Sequence, residues 1–142
     1  MSNRKALDAV ASELVKAFDV KIPPVPVESM LQRPPDGMWK ELDVRKLSGT
    51  FLNIRDIYSP RMSLCRLLVR HIINSEWGKE RQLHELIKAE DHVHRFARMI
   101  LMPQEMINAL SPGARNPIAV SMQFEVPEDE ARLRLQEIDT LF

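Results

Sequence analysis

Prolines divide this chain before any other residue type does. Ten occur in 142 residues, and the first of them gather in two runs, Ile22-Pro23-Pro24-Val25-Pro26 and Arg33-Pro34-Pro35-Asp36-Gly37. A proline donates no backbone hydrogen bond and pushes its predecessor out of the helical region. No helix can run through either cluster. Ahead of the first, Ala6, Val10, Leu14 and Ala17 recur at near-helical spacing, supported by Leu7, Val15 and Phe18, which predicts a helix. Between the clusters there is room for a short helix at Val27 to Gln32, and the second cluster reads as a turn.

Two strands are expected next, near Met38 to Leu42 and Ser48 to Ile54. Thr50, Leu52 and Ile54 alternate there with Phe51 and Asn53. Ser59-Pro60 marks a helix start, with a serine suited to capping and a proline suited to the first turn. That helix should run to about Asn74. Leu64, Leu68 and Ile72 share one face, widened by Cys65, Leu67, Val69 and Ile73, so it should be central to the core. A further helix is expected over Gln82 to Leu101, a short one from Pro103 to Leu110, a loop at Ser111 to Pro117, and a last helix from Glu128 to Leu141. Glu128, Asp129 and Glu130 suit the positive end of that last helix.

Composition bounds the function. Lysine plus arginine equals aspartate plus glutamate, giving a formal net charge of zero, which is not the footprint of a nucleic-acid binder. The length suits one domain, residues 1–142. No segment approaches the ~18 consecutive apolar residues of a membrane span. Met1 to Lys16 has no continuous apolar stretch of the kind a secretory signal needs. The single cysteine, Cys65, has no internal disulfide partner and sits among leucines, so a buried structural thiol in a reducing cytoplasm is expected. Four glycines form no phosphate-binding fingerprint. Eight methionines allow adaptable apolar packing.

Arg61 to Arg70 and Glu90 to Pro103, taken with shorter stretches on either side, resemble segments of the ImmA/IrrE family of small metallopeptidases. The family carries R-F-T-L-A-H-E-x-x-H where this chain reads Arg61-Met62-Ser63-Leu64-Cys65-Arg66-Leu67-Leu68-Val69-Arg70. Glu90 to Pro103 is similar to the family's E-x-x-A-N-x-F-A-x-x-L-L-M-P: Glu90, Phe96, Ala97, Leu101, Met102 and Pro103 match, while Val93 and His94 depart. The Pro-Pro-Val-Pro-Val-Glu string after the first helix, Asn53, and Phe124-Glu125-Val126-Pro127 followed by Ala131, Arg134 and Leu135 extend the likeness over most of the chain. It implies an α+β fold, mainly helical with a small antiparallel sheet, of the zincin-like minimal peptidase type.

The resemblance implies a zinc site whose chemistry has been lost. The two histidine ligands become Arg66 and Arg70, and the catalytic glutamate becomes Leu67. A guanidinium stays protonated and cannot ligate a cation. A leucine cannot take a proton. Glu90 matches the family's third ligand and is left without partners. No other metal set has the right spacing: His84-Glu85 is followed at the ligand position by Lys88, and on a helix His92 and His94 would point about 200° apart. His71, Asp91 and His94 are the candidate cleft residues around the lost site. One turn apart, Arg66 and Arg70 could grip Glu90 as an ionic tether in place of the metal, or simply reach solvent. The expected function is a catalytically inactive, protein-binding or regulatory relative of the peptidases, with no zinc or other cofactor. Active family members are associated with helix-turn-helix repressors of mobile elements, so a transcriptional regulator is the implied partner. The alternatives are a hydrolase using an unrecognised site and a phage- or element-encoded assembly subunit that forms an oligomer.

Overall fold

The computed structural model describes residues 3–35, 38 and 58–139, and these form a helical assembly. Helix α1 covers Asn3–Ala17, α2 Val27–Gln32, α3 Ser59–Ile73, α4 Glu76–Glu80, α5 Leu83–Leu86, α6 Glu90–Leu101, α7 Gln104–Asn108, α8 Pro117–Phe124 and α9 Glu128–Asp139. The proline runs act as expected: α1 ends before the first, and α2 occupies the space between the two.

Helix α6 organises the core, because it packs against α3, α1 and α9. Val93, Phe96, Ala97, Met99, Ile100 and Leu101 are buried on it. Removing the fully buried Phe96 ring should cost ~3–5 kcal/mol in lost burial and cavity formation. Helix α3 buries Leu64, Cys65, Leu68, Val69 and Ile72 between α2 and α6. The α8–α9 hairpin closes the other side, contributing Val120, Phe124, Ala131 and Ile138.

The α+β, zincin-like expectation is corrected. Among the described residues there is no strand, and the apolar surface of α3 is covered by helices α2 and α6. The segments where strands are expected, 38–42 and 48–54, lie outside the described residues apart from the buried Met38. Asn53 also lies outside them. A second correction concerns the helix expected over Gln82 to Leu101. It is two helices, with Gln82 at a left-handed φ of 58° and Ile87 and Ala89 both extended. The break lets Ile87 turn into the core. Glu90 and Asp91 then fall in the first turn of α6, where negative charge is favoured by the positive end of the helix dipole. The loop expected at Ser111 to Pro117 leads directly into α8, a helix not expected from the sequence, which is capped by Asn116, whose Oδ1 accepts from the Ala119 amide at 2.9 Å.

Candidate functional site

The N-terminal turn of α3 is held by Arg61. Its Nε donates to the Glu125 carbonyl at 3.0 Å, Nη2 to the Val25 carbonyl at 2.8 Å, and Nη1 to Glu28 at 3.3 Å. One side chain thus ties α3 to the segment before α2 and to the turn between α8 and α9. This fixes the position of the residues that follow it, Ser63, Arg66 and Arg70.

Because α3 and α6 pack side by side, Arg70 and Glu90 come together. The Arg70 guanidinium donates from Nη2 to both carboxylate oxygens of Glu90. Hydrogen bonding by Arg70 is the main reason that the Glu90 carboxyl lies below its ordinary pKa, and the charges of Arg70, Arg66 and His94 add to it. The same bond raises Arg70. Both side chains are well exposed, 48% and 68%, and exposed pairs of this kind contribute little to stability. Arg66 takes a different course: its Nη2 donates to Ser63 Oγ at 3.2 Å. It acts on Glu90 through its charge alone. The tether is therefore made by one arginine.

Arg66 instead borders a small polar cleft with room for about one water, ≈ 20 Å³. Ser59, Met62 and Ser63 of α3 form one wall, His94 of α6 a second, and Pro127 with Glu130 a third. His94 Nε2 and Glu130 Oε2 are 2.6 Å apart. Arg98 supports Glu130 at 3.7 Å and donates to Glu137 at 2.9 Å. Burial raises the Glu130 carboxyl, but the hydrogen bond and charge of His94 and the charge of Arg98 outweigh it, and the net position is below the ordinary value. Glu130 is legible in sequence only as an acidic residue suited to a helix start; its burial depends on how α9 meets α6.

Of the residues singled out in sequence, Arg70 and Glu90 pair, and Arg66 and His94 share the cleft. Leu67, His71 and Asp91 are not among its lining residues; Asp91 is exposed and the other two are half-buried. His92 accepts the Lys88 amide at 3.2 Å through Nδ1, a local cap. Among the described residues no three His, Cys, Asp or Glu side chains converge as a metal set. Cys65 is fully buried, donates to the Ala97 carbonyl at 3.5 Å, and is pushed well above the usual thiol range by burial. This is a structural environment, since reactivity needs the thiolate.

Larger grooves run along α1 and α7. One of ≈ 340 Å³ has Val15, Val20, Pro103 and Met106 in its lining, with Lys16 and Lys21. Lys16 is already bonded to Glu105 at 2.9 Å. The groove's ≈ 490 Å³ neighbour has Asp8, Glu13 and Glu105 in its lining, each already paired with a cation, Arg134, Arg81 and Lys16 in turn, so the smaller cleft is the candidate site. No described helix is long and apolar enough to cross a membrane. Comparison with protein-family models, with curated proteins and with solved structures gives no match.

Proposed function

We propose that this chain is a catalytically inactive relative of the ImmA/IrrE peptidases that works in the cytoplasm by binding a protein, with a transcriptional regulator of the helix-turn-helix or mobile-element type as the partner class. One observation carries the reading. Helices α3 and α6 pack together, and the Arg70 guanidinium sits on Glu90; the resemblance aligns both positions with zinc ligands of the family. An arginine at such a position replaces a cation with a cation and gives no group that activates water. The buried, protonated Cys65 accords with a reducing compartment.

Metal analysis of two proteins tests the proposal. The unaltered chain should hold no stoichiometric zinc and cleave no peptide. The triple variant Arg66→His, Leu67→Glu, Arg70→His should bind zinc through Glu90, and adding Glu90→Gln should reverse the gain. About one tightly held zinc in the unaltered chain, or a folded triple variant with no gain, would overturn the relationship.

A second reading has one observation in its favour: the His94–Glu130 pair lies in a cleft that also carries Ser59 and Ser63. A hydrolase built there would use His94 to move a proton from a serine. Turnover of ester or amide substrates that is lost in His94→Ala would establish it and displace the binding reading.

A further inference from the structure

We infer that the cleft between α3 and α9 receives one carboxylate, an aspartate or glutamate side chain of the partner protein, with Arg66 as its ion-pair mate. The inference rests on the protein-binding reading above and names the chemistry of the group that is bound. The observation behind it is an imbalance among the arginines of α3, α6 and α9. Arg61 pairs with Glu28, Arg70 with Glu90, Arg95 and Arg98 with Glu137, Arg132 with Glu128, and Arg134 with Asp8. Arg66 pairs with no carboxylate among the described residues. Its hydrogen bond to Ser63 occupies one of five guanidinium N–H donors.

That bond also orients the group. Arg66 is half-buried, and its Nη2 is fixed on Ser63 at the edge of the cleft. A guanidinium held in this way loses little freedom when it takes a planar, two-bond partner. A salt-bridging carboxylate is the group that such a fork fits best.

Size and charge select among anions. A cleft with room for about one water, ≈ 20 Å³, admits a single oxygen of an incoming carboxylate, the rest of which stays at the mouth beside Arg66, and not a whole metabolite. Glu130 lines the same cleft, and although His94 and Arg98 balance its charge, a dianionic phosphate would meet more repulsion from it than a carboxylate carrying a single charge. A carboxylate lying toward Arg66 supplies this cation with the counter-charge it lacks among the described residues and leaves the His94–Glu130 pair in place.

The test titrates the full chain with N-acetylglutamate N-methylamide, its glutamine counterpart and inorganic phosphate, while the arginine Nε–H resonances are followed by NMR. Arg66→Lys assigns the Arg66 signal. The glutamate compound should give a saturable shift at Arg66, the glutamine compound none, and phosphate a weaker one. Followed at the backbone amides of Ser63 and His94, which persist in the variants, Arg66→Met should lower the affinity at least ~10-fold, and Arg66→Lys, which keeps the charge but not the fork, should lie between. An equal response to the glutamine compound, a stronger saturable response to phosphate, or no saturable shift at Arg66 would each overturn the proposal. Such a failure would leave the zinc result, which tests the parent reading, as it stands. Zinc bound by the unaltered chain would overturn the parent reading while the titration stayed interpretable.

Discussion

Arg134 of α9 and Asp8 of α1 form a two-bond ion pair inside the core, at 2.6 and 3.4 Å, across 126 residues of sequence. Arg134 is fully buried and Asp8 nearly so. The third donor position, Nε, reaches the Met102 carbonyl at 2.8 Å, just past the end of α6. Three parts of the chain meet on one guanidinium, and every contact is a hydrogen bond to an oxygen.

Breaking this pair from one side should be costly. Asp8→Ala leaves a buried cation without its counter-ion, and chemical denaturation should show a loss of ~3–5 kcal/mol. Replacing both groups by apolar ones, Asp8→Leu with Arg134→Met, removes the uncompensated charge. The double variant should be more stable than Asp8→Ala. A double variant as unstable as the single one would mean that the pair matters through packing and not through charge.

Gly78 is the position where a methyl group cannot be fitted. A Cβ there would lie 2.0 Å from the Ile72 carbonyl oxygen and 2.9 Å from its carbon, and both atoms belong to the backbone. The same corner is held by Ser75, whose Oγ donates to the Ile72 carbonyl at 2.6 Å and accepts from the Gly78 amide at 3.0 Å. Gly78→Ala should therefore lower stability by ~2 kcal/mol or more. Gly113→Ala is the control, because a Cβ added there would meet nothing within 4 Å; it should stay within ~0.5 kcal/mol of the parent.

The acid limb of the stability curve should carry the mark of Glu130. Its folded-state carboxyl lies below the ordinary glutamate value, so its contribution is present above the unfolded pKa and is lost as pH falls through the lower folded value. Glu130→Gln should cost ~1.5–3 kcal/mol at neutral pH, the range for hydrogen bonds to charged groups. The variant should also lose less stability than the parent on acidification. Parallel pH profiles for the two proteins would contradict the contribution assigned to Glu130.

The Arg70–Glu90 pair should behave as a surface contact. Its carboxyl is also lowered, mainly by the Arg70 hydrogen bond, so the same sign applies: the stabilisation exists above the unfolded glutamate pKa and disappears below the folded one. A double-mutant cycle of Arg70→Met and Glu90→Gln should show coupling at neutral pH and low salt. The coupling should vanish in acid and be largely screened at about 1 M salt. An additive cycle at low salt would mean that the two side chains do not pair in solution.

The sequence marks elements where chain chemistry is local. Pro23, Pro24, Pro34 and Pro35 bound α2, and Ser59-Pro60 opens α3. The break between α5 and α6 carries no glycine or proline at Ile87-Lys88-Ala89, so it becomes legible only when Ile87 is seen buried. Helix α8 does carry a signal, because Asn116-Pro117 places a capping residue before a first-turn proline; the weak periodicity of its apolar side chains hides it. The Arg70–Glu90 contact could be proposed from the family resemblance, whereas the preference of Arg66 for Ser63 depends on side-chain geometry. Burial of Arg134 is not readable in its helix at all, since its counter-ion lies in α1.

Cys65 gives the protein an internal reporter. Its sulfur lies between α3 and α6 and bonds to the Ala97 carbonyl, so a thiol reagent can reach it only when those helices part. At reagent excess the labelling rate becomes a clock for that opening, in the way that amide exchange times the opening of a backbone hydrogen bond. The chain needs no added probe: its one cysteine already stands at the joint between the two helices that carry Arg66, Arg70 and Glu90.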